Sequence, residues 1–203
     1  MIGLNVDAFD YPLPERLIAQ SPLPERTASR LLALDRRTGA AEHLRFSDLH
    51  RLLKPGDLLV LNDTKVLPAR LVGWKADTGA KAELLLLRDL GGGRWETLAR
   101  PAKRLKAGTR LLFGGRREEP LLEAAVEREE EEGRRIVRFR WDGVFLEVLE
   151  TLGTMPLPPY IKETLPDRDR YQTVYAKHPG SAAAPTAGLH FTPEYLERIR
   201  AVG

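Results

Sequence analysis

His190 lies in AAPTAGLHF, residues 183–191, and is the one titratable side chain of that stretch. Around it stand alanines, Pro185, Thr186 and Gly188, small enough to let a ligand approach the backbone closely. Thr192-Pro193-Glu194 then reads as a helix opening, an N-cap followed by a proline in the first turn. Unpaired N–H groups at a helix start favour an anion or an electron-rich ligand atom, so the segment suits a small-molecule pocket with one general acid/base. It equally suits a buried loop crossing in which the ring hydrogen-bonds a carbonyl.

NDTKVLPAR, residues 62–70, is the second chemical segment. It follows DLLVLN, an apolar run of the kind found in a strand buried on both faces, and α/β folds place ligands at strand ends. Asp63 can hold a ribose hydroxyl or take a proton, Thr64 can act as a hydroxyl partner, and Lys65 and Arg70 as counter-charges. Asn62 and Asp63 also fit an Asx-turn leading into a linker. In PERTASR, Arg26 and Arg30 stand four apart, on one face if helical, suited to a phosphate or carboxylate or simply to solvent.

Net charge is only +3, but it conceals two opposed blocks. Residues 94–117 carry eight basic side chains against Glu96, whereas residues 118–132 carry eight glutamates against one arginine. The basic block, with Arg100, Lys103, Arg104 and Lys106 at its centre and Trp95 beside it, reads as a phosphate-binding surface with a stacking ring or as a solvated barrel rim balanced by the glutamates. The acidic block reads as a solvated loop.

Several chemistries are disfavoured. Cysteine is absent, which removes thiolate zinc sites, iron–sulfur clusters and Cys nucleophiles, and the four histidines lack zinc-helix spacing, so no metal site is expected. No G-x-S-x-G nucleophile motif supports a hydrolase. No apolar stretch approaches the ~20 residues of a membrane helix, and the N-terminal residues lack a signal-peptide pattern; a cytoplasmic protein without membrane contact is expected.

The elements that must position these residues read as mixed α/β. PERLIAQ suggests a short helix, RLLALD and AAEHLRF a hairpin turning at Asp35, and Ser47 an N-cap for DLHRLLK. Beyond residue 66, RLVGWK, AELLLLR, RWETLAR, TRLLFG, LLEAAVE and RRIVRFR recur at roughly ten-residue intervals, separated by turns. Six short strands with no intervening helix predict a small closed barrel over residues 66–142, in which Ile136, Val137 and Phe139 alternate imperfectly with arginines. Helical spacing returns in VFLEVLETLG, MPLPPYI is expected to run extended, DRDRYQTVYA suggests a helix near Asp167, and the last helix closes at Gly203. The expected architecture is α+β: a larger α/β domain of residues 1–65 plus 143–203, interrupted by an all-β barrel.

PERTASRLL, NDTKVLPARL, MPLPPYI, YQTVYA and AAPTAGLHF, in this order and spacing, closely resemble the S-adenosylmethionine:tRNA ribosyltransferase-isomerases of queuosine biosynthesis. The resemblance covers essentially the whole chain and implies the same α/β domain with an inserted barrel. It implies transfer and isomerisation of the ribosyl group of S-adenosylmethionine, the co-substrate, onto 7-aminomethyl-7-deazaguanine at the tRNA wobble position. Epoxyqueuosine results, with release of adenine and methionine. A sulfonium acidifies the adjacent C5′ protons and supplies a leaving group, so such an enzyme needs a base, an acid and positioning groups rather than a metal. Imidazole titrates near pKa ~6.5 and can give or take a proton at neutral pH, whereas a carboxylate would need an upward shift. On this reading His190 and Asp63 are the catalytic candidates. Asn62, Thr64, Lys65, Arg70, Arg26, Arg30, Pro185, Thr186 and Gly188 are substrate-binding candidates, and Arg100, Lys103, Arg104 and Lys106 bind tRNA.

Members of that family continue past the point matching Gly203. The larger domain is therefore expected to lack part of its sheet and its C-terminal share of the site, leaving an open edge and an uncovered apolar face that favour self-association, in contrast to a monomeric full-length relative. The 203-residue chain alone is expected to be inactive as a transferase. The alternative from another class is a non-catalytic RNA-binding protein, a basic barrel gripping tRNA with merely structural flanks.

Overall fold

The computed structural model describes residues 5–116, 118–163 and 167–202. Arg117, counted in the basic block, and Gly203, expected to close the last helix, lie outside the described residues, as do residues 1–4. Strands β1 (Arg30–Leu34) and β2 (Ala41–Arg45) form the antiparallel hairpin. Asp35 builds its turn by accepting N–H bonds from Arg37 and Thr38, both 2.8 Å, and these bonds hold its carboxyl below the usual carboxylate pKa. Strand β3 (Thr64–Val66) pairs in parallel with β10 (His178–Ser181), joining residues far apart in the chain.

Between them β4 (Arg70–Lys75), β5 (Lys81–Gly91), β6 (Arg94–Arg100), β7 (Arg110–Phe113), β8 (Leu122–Glu129) and β9 (Arg134–Arg140) close into a barrel in the order β4-β5-β6-β9-β8-β7. Each neighbouring pair is antiparallel. All six segments expected from the ten-residue recurrence are present. Leu71, Leu84, Leu111, Phe113, Leu122 and Val137 are completely buried inside, an apolar face that only closure can cover on every strand at once. The acidic block is not a loop, because most of it is β8. Leu122, Ala124 and Val126 point inward, while Glu123 and Glu127 face outward, pairing with Arg110 at 3.1 Å and with Arg138.

Helix α1 (Phe145–Leu152) follows β9 and adds Leu149 to the barrel core. Chain entry at β4 and exit after β9 therefore share one barrel end, and the β6–β7 connection, residues 101–109, lies at the other. Helix α2 (Pro193–Arg200) begins as its sequence predicts, with the Thr192 hydroxyl accepting from the Tyr195 N–H at 3.2 Å.

Other expectations fail for identifiable reasons. DLLVLN forms no strand: Leu58 and Val60 are 87% and 80% exposed. An apolar run specifies burial on both faces only where flanking strands exist, and among the described residues none pairs with it. DRDRYQTVYA forms a single 3₁₀ turn, Arg168–Tyr171, because Gln172 leaves the helical path to bond β3. PERLIAQ likewise makes one turn, Glu15–Leu17. DLHRLLK becomes a 3₁₀ turn that starts at Phe46, ahead of Ser47, with the Asp48 carboxylate accepting the Arg45 N–H.

Gly153 ends α1 where a Cβ would lie 1.9 Å from the Pro68 carbonyl oxygen, at the seam between barrel and flanking segments. Gly153→Ala is expected to destabilise the protein by about 1–3 kcal/mol through overpacking, read as a lower urea midpoint at unchanged slope; a wild-type midpoint would show that the seam yields freely.

Candidate functional site

Four side chains tie the irregular segments together, each bonding to backbone. Gln20 donates to the Tyr160 carbonyl at 3.0 Å and accepts the Lys162 N–H at 2.7 Å. Arg26 donates to the carbonyls of Leu189 at 2.7 Å and Asp169 at 2.8 Å. Arg170 donates to the Leu23 carbonyl at 2.5 Å. Gln172 accepts the Val66 N–H at 2.9 Å and donates to the Val66 carbonyl at 3.1 Å, taking the place of a further strand beside β3. Partial burial, with the neighbouring Arg170 charge, lowers the Arg26 pKa from its ordinary value.

These bonds assemble a groove of about 230 Å³ from three remote stretches, with Pro22, Leu157, Tyr160, Tyr171, Thr186 and Leu189 among its lining. Its floor meets the cluster of Val66, Tyr171 and Ala184, against which Met155, Leu157 and Leu189 pack. Burial raises the pKa of Tyr171, so its phenol stays a neutral donor across the physiological range.

Thr186–His190 is a 3₁₀ turn entered from Pro185, with Thr186 exposed on the groove. Gly188 is buried, and a Cβ there would stand 2.2 Å from the Tyr175 hydroxyl. Its smallness therefore serves the packing of Tyr175. Beside it the Thr173 hydroxyl is buried with no hydrogen-bond partner among the described residues, at a cost of about 1–3 kcal/mol. The His190 ring is half-buried against Phe46, centroids 5.1 Å apart, and its nitrogens make no hydrogen bond among the described residues. That leaves both nitrogens available to a substrate. The carbonyl bond that would mark a purely structural histidine is instead made by His50, whose Nδ1 lies 2.9 Å from the Ser47 oxygen.

Asp63 approaches His178, not His190, with its Oδ2 3.5 Å from His178 Nε2. Its main-chain oxygen accepts N–H bonds from Lys177 and His178, so the β3/β10 register fixes that meeting. The Asn62 side chain accepts the Thr64 N–H at 3.0 Å, which is the Asx-turn. Lys65 is exposed. Arg70 stands in β4, 3.4 Å from Glu83 on the barrel wall, and Arg30 is exposed at the start of β1 rather than on a helix face with Arg26. No described cavity is lined by Asp63, Arg70 and His190 together.

At the far barrel end, Arg100, Lys103, Arg104 and Lys106 are exposed and make no ion pair among the described residues, whereas Arg88 and Arg134 share Glu96 at 3.1 and 3.2 Å. Trp95 is not a stacking ring. It is buried in the barrel core, 5.8 Å from Phe145, because its β6 position faces inward. Gln20, Arg170 and Gln172 are not readable as site residues in the sequence, since nothing local signals a bond to a carbonyl over a hundred residues away; nor are Tyr175 and His178, whose contacts with Gly188 and Asp63 are set by tertiary packing and strand register. Among the described residues no helix is long and apolar enough to cross a membrane, and no group of three His, Asp or Glu could hold a metal.

The clamp yields a direct test. Arg26→Met keeps the stem and loses both donors, so stability should fall by at least about 2 kcal/mol, with faster amide exchange across residues 186–191. Unchanged exchange there would show that the loop holds itself.

Residues 6–203 match the family model described as queuosine biosynthesis protein. Among solved structures the chain is 36% identical to the S-adenosylmethionine tRNA ribosyltransferase of Thermotoga maritima, with 96% of this chain and 54% of that chain covered and a TM-score of 0.36. The chain thus spans about half the length of that relative.

Proposed function

The chain belongs to the queuosine biosynthesis protein family, and on that premise we propose that it is part of a cytoplasmic tRNA-modifying transferase. The reaction moves and isomerises the ribosyl group of S-adenosylmethionine onto 7-aminomethyl-7-deazaguanine at the wobble position, giving epoxyqueuosine. The observation that carries the reading is the convergence of segments remote in sequence on one apolar groove, to which Thr186 and Leu189 of the turn bearing His190 contribute. At about 230 Å³ the groove falls below the ~300–1,000 Å³ that encloses a whole small ligand, so it suits one portion of the co-substrate, with Tyr160 and Tyr171 offering ring faces and Thr186 a hydroxyl.

Within this reading His190 gives or takes the proton at the ribosyl group, and Asp63 holds a neighbouring hydroxyl or takes its proton. The two act from separate positions. Asn62, Thr64 and Lys65, the chain neighbours of Asp63, and Arg70 are proposed as substrate contacts, and Arg26 serves by holding the His190 turn. The enzyme is proposed for the whole protein; the 203-residue chain by itself is expected not to turn over.

Replacing His190 by Ala in the full-length protein should lower turnover by about 10²-fold or more, as for loss of a general acid/base, with S-adenosylmethionine still bound. Turnover within a few-fold of wild type would remove the catalytic assignment.

The exposed cations of residues 100–106, without an ion pair among the described residues, favour a second reading, a barrel that grips tRNA without catalysis. Both readings place RNA phosphates on this ledge, and only the transferase reading requires affinity for S-adenosylmethionine. Neutralising Lys103, Arg104 and Lys106 together should reduce the slope of log affinity against log salt by roughly two to three; an unchanged slope would clear the ledge of phosphate contacts.

A further inference from the structure

Strand β9 carries an arginine where its period demands an apolar residue. The inward positions are Arg135, Val137 and Phe139, while Ile136 is left only half-buried on the outer face. Arg135 is 4% exposed, an unusual place for a guanidinium unless its donors are all used. Two of its nitrogens are used on the β6–β7 connection and the third on carbonyls of Arg134 and Glu130. Nε donates to the Leu105 carbonyl at 2.6 Å and Nη2 to the Ala102 carbonyl at 2.6 Å, while Nη1 donates to the strand's own Arg134 carbonyl at 2.6 Å. Its charge is balanced by Glu129, 3.6 Å away, whose other oxygen accepts the Ala107 N–H at 3.4 Å.

One buried cation and its counter-ion thus hold the connection at Ala102, Leu105 and Ala107, while Leu105 is buried to 1% beneath it. The side chains between these anchors are Lys103, Arg104 and Lys106, all turned to solvent. The planar fork of a guanidinium suits separate carbonyls in a way that a point-like ammonium does not. We infer that Arg135 is the positioning residue of the basic ledge, presetting the geometry in which Lys103, Arg104 and Lys106 meet RNA phosphates. This rests on the phosphate-binding reading of that ledge. The gain is preorganisation: a ledge ordered before binding spares the ordering cost that a mobile basic loop would incur on the RNA.

The test uses the full chain and a tRNA transcript, with affinity measured from low to moderate salt and amide exchange followed over residues 101–109. Arg135→Met should accelerate exchange in the loop, weaken binding about ten-fold and lower the salt slope by about one, while Arg135→Lys recovers part of each. Loop exchange at the wild-type rate in Arg135→Met would overturn the inference, as would a loosened loop that binds with wild-type affinity and slope. Should Arg135→Met not fold, Arg135→Lys and Glu129→Gln carry the same criteria. The Lys103→Ala, Arg104→Ala, Lys106→Ala triple variant separates the two levels. A wild-type slope there overturns the phosphate reading and this inference with it, whereas a slope lost there but kept in Arg135→Met with a loosened loop overturns the positioning role alone.

Discussion

Outside the barrel, long stretches of this chain belong to no extensive sheet or helix, and their backbone N–H and C=O groups must still be satisfied. Gln20, Arg26, Arg170 and Gln172 satisfy some of them, and each does so across more than a hundred positions of sequence. The groove exists because of these bonds. Its walls are loops, and each loop is fixed by a side chain from another. Arg26, one of the ligand-contact candidates, is therefore engaged with main-chain oxygen. The His190 ring, by contrast, makes no hydrogen bond among the described residues.

The barrel follows a different logic. Its backbone is satisfied by closure, so its side chains are divided cleanly between an apolar interior and a charged exterior. Glutamates of β8 answer arginines of β7 and β9 across the wall. Exposed pairs of this kind contribute little to stability, about 0–1 kcal/mol each, but they neutralise the wall and leave uncompensated charge at one end. Arg135 breaks the division from within, and the connection it holds is the segment bearing that charge.

The barrel was legible in the sequence because period-2 patterning and turns repeat locally. So were the hairpin at Asp35 and the helix opening at Thr192, each signalled within four residues. The failures have a common origin in tertiary competition. DLLVLN has the composition of a buried strand but no strand pairs with it among the described residues, and YQTVYA gives up helical continuity so that Gln172 can complete β3. At the site, the strand expected to end at Asp63 is absent; Asp63 instead precedes β3, and its meeting with His178 depends on a parallel register that no local pattern encodes. Trp95 and Arg135 were misjudged or passed over for one reason: residue type was weighed above strand phase.

The barrel also acts as a spacer. Groove residues such as Leu157 and Tyr171 pack on the Val66 cluster, near the chain's entry to the barrel, while the 101–109 connection caps the opposite rim. Six residue steps along β6 span about 20 Å of strand, which at a tilt of roughly 40° separates those rims by about 15 Å, more than the length of a nucleotide base. A lone nucleoside cannot touch both. An extended polymer can, so under the proposed function the two surfaces would be engaged together only by a long ligand.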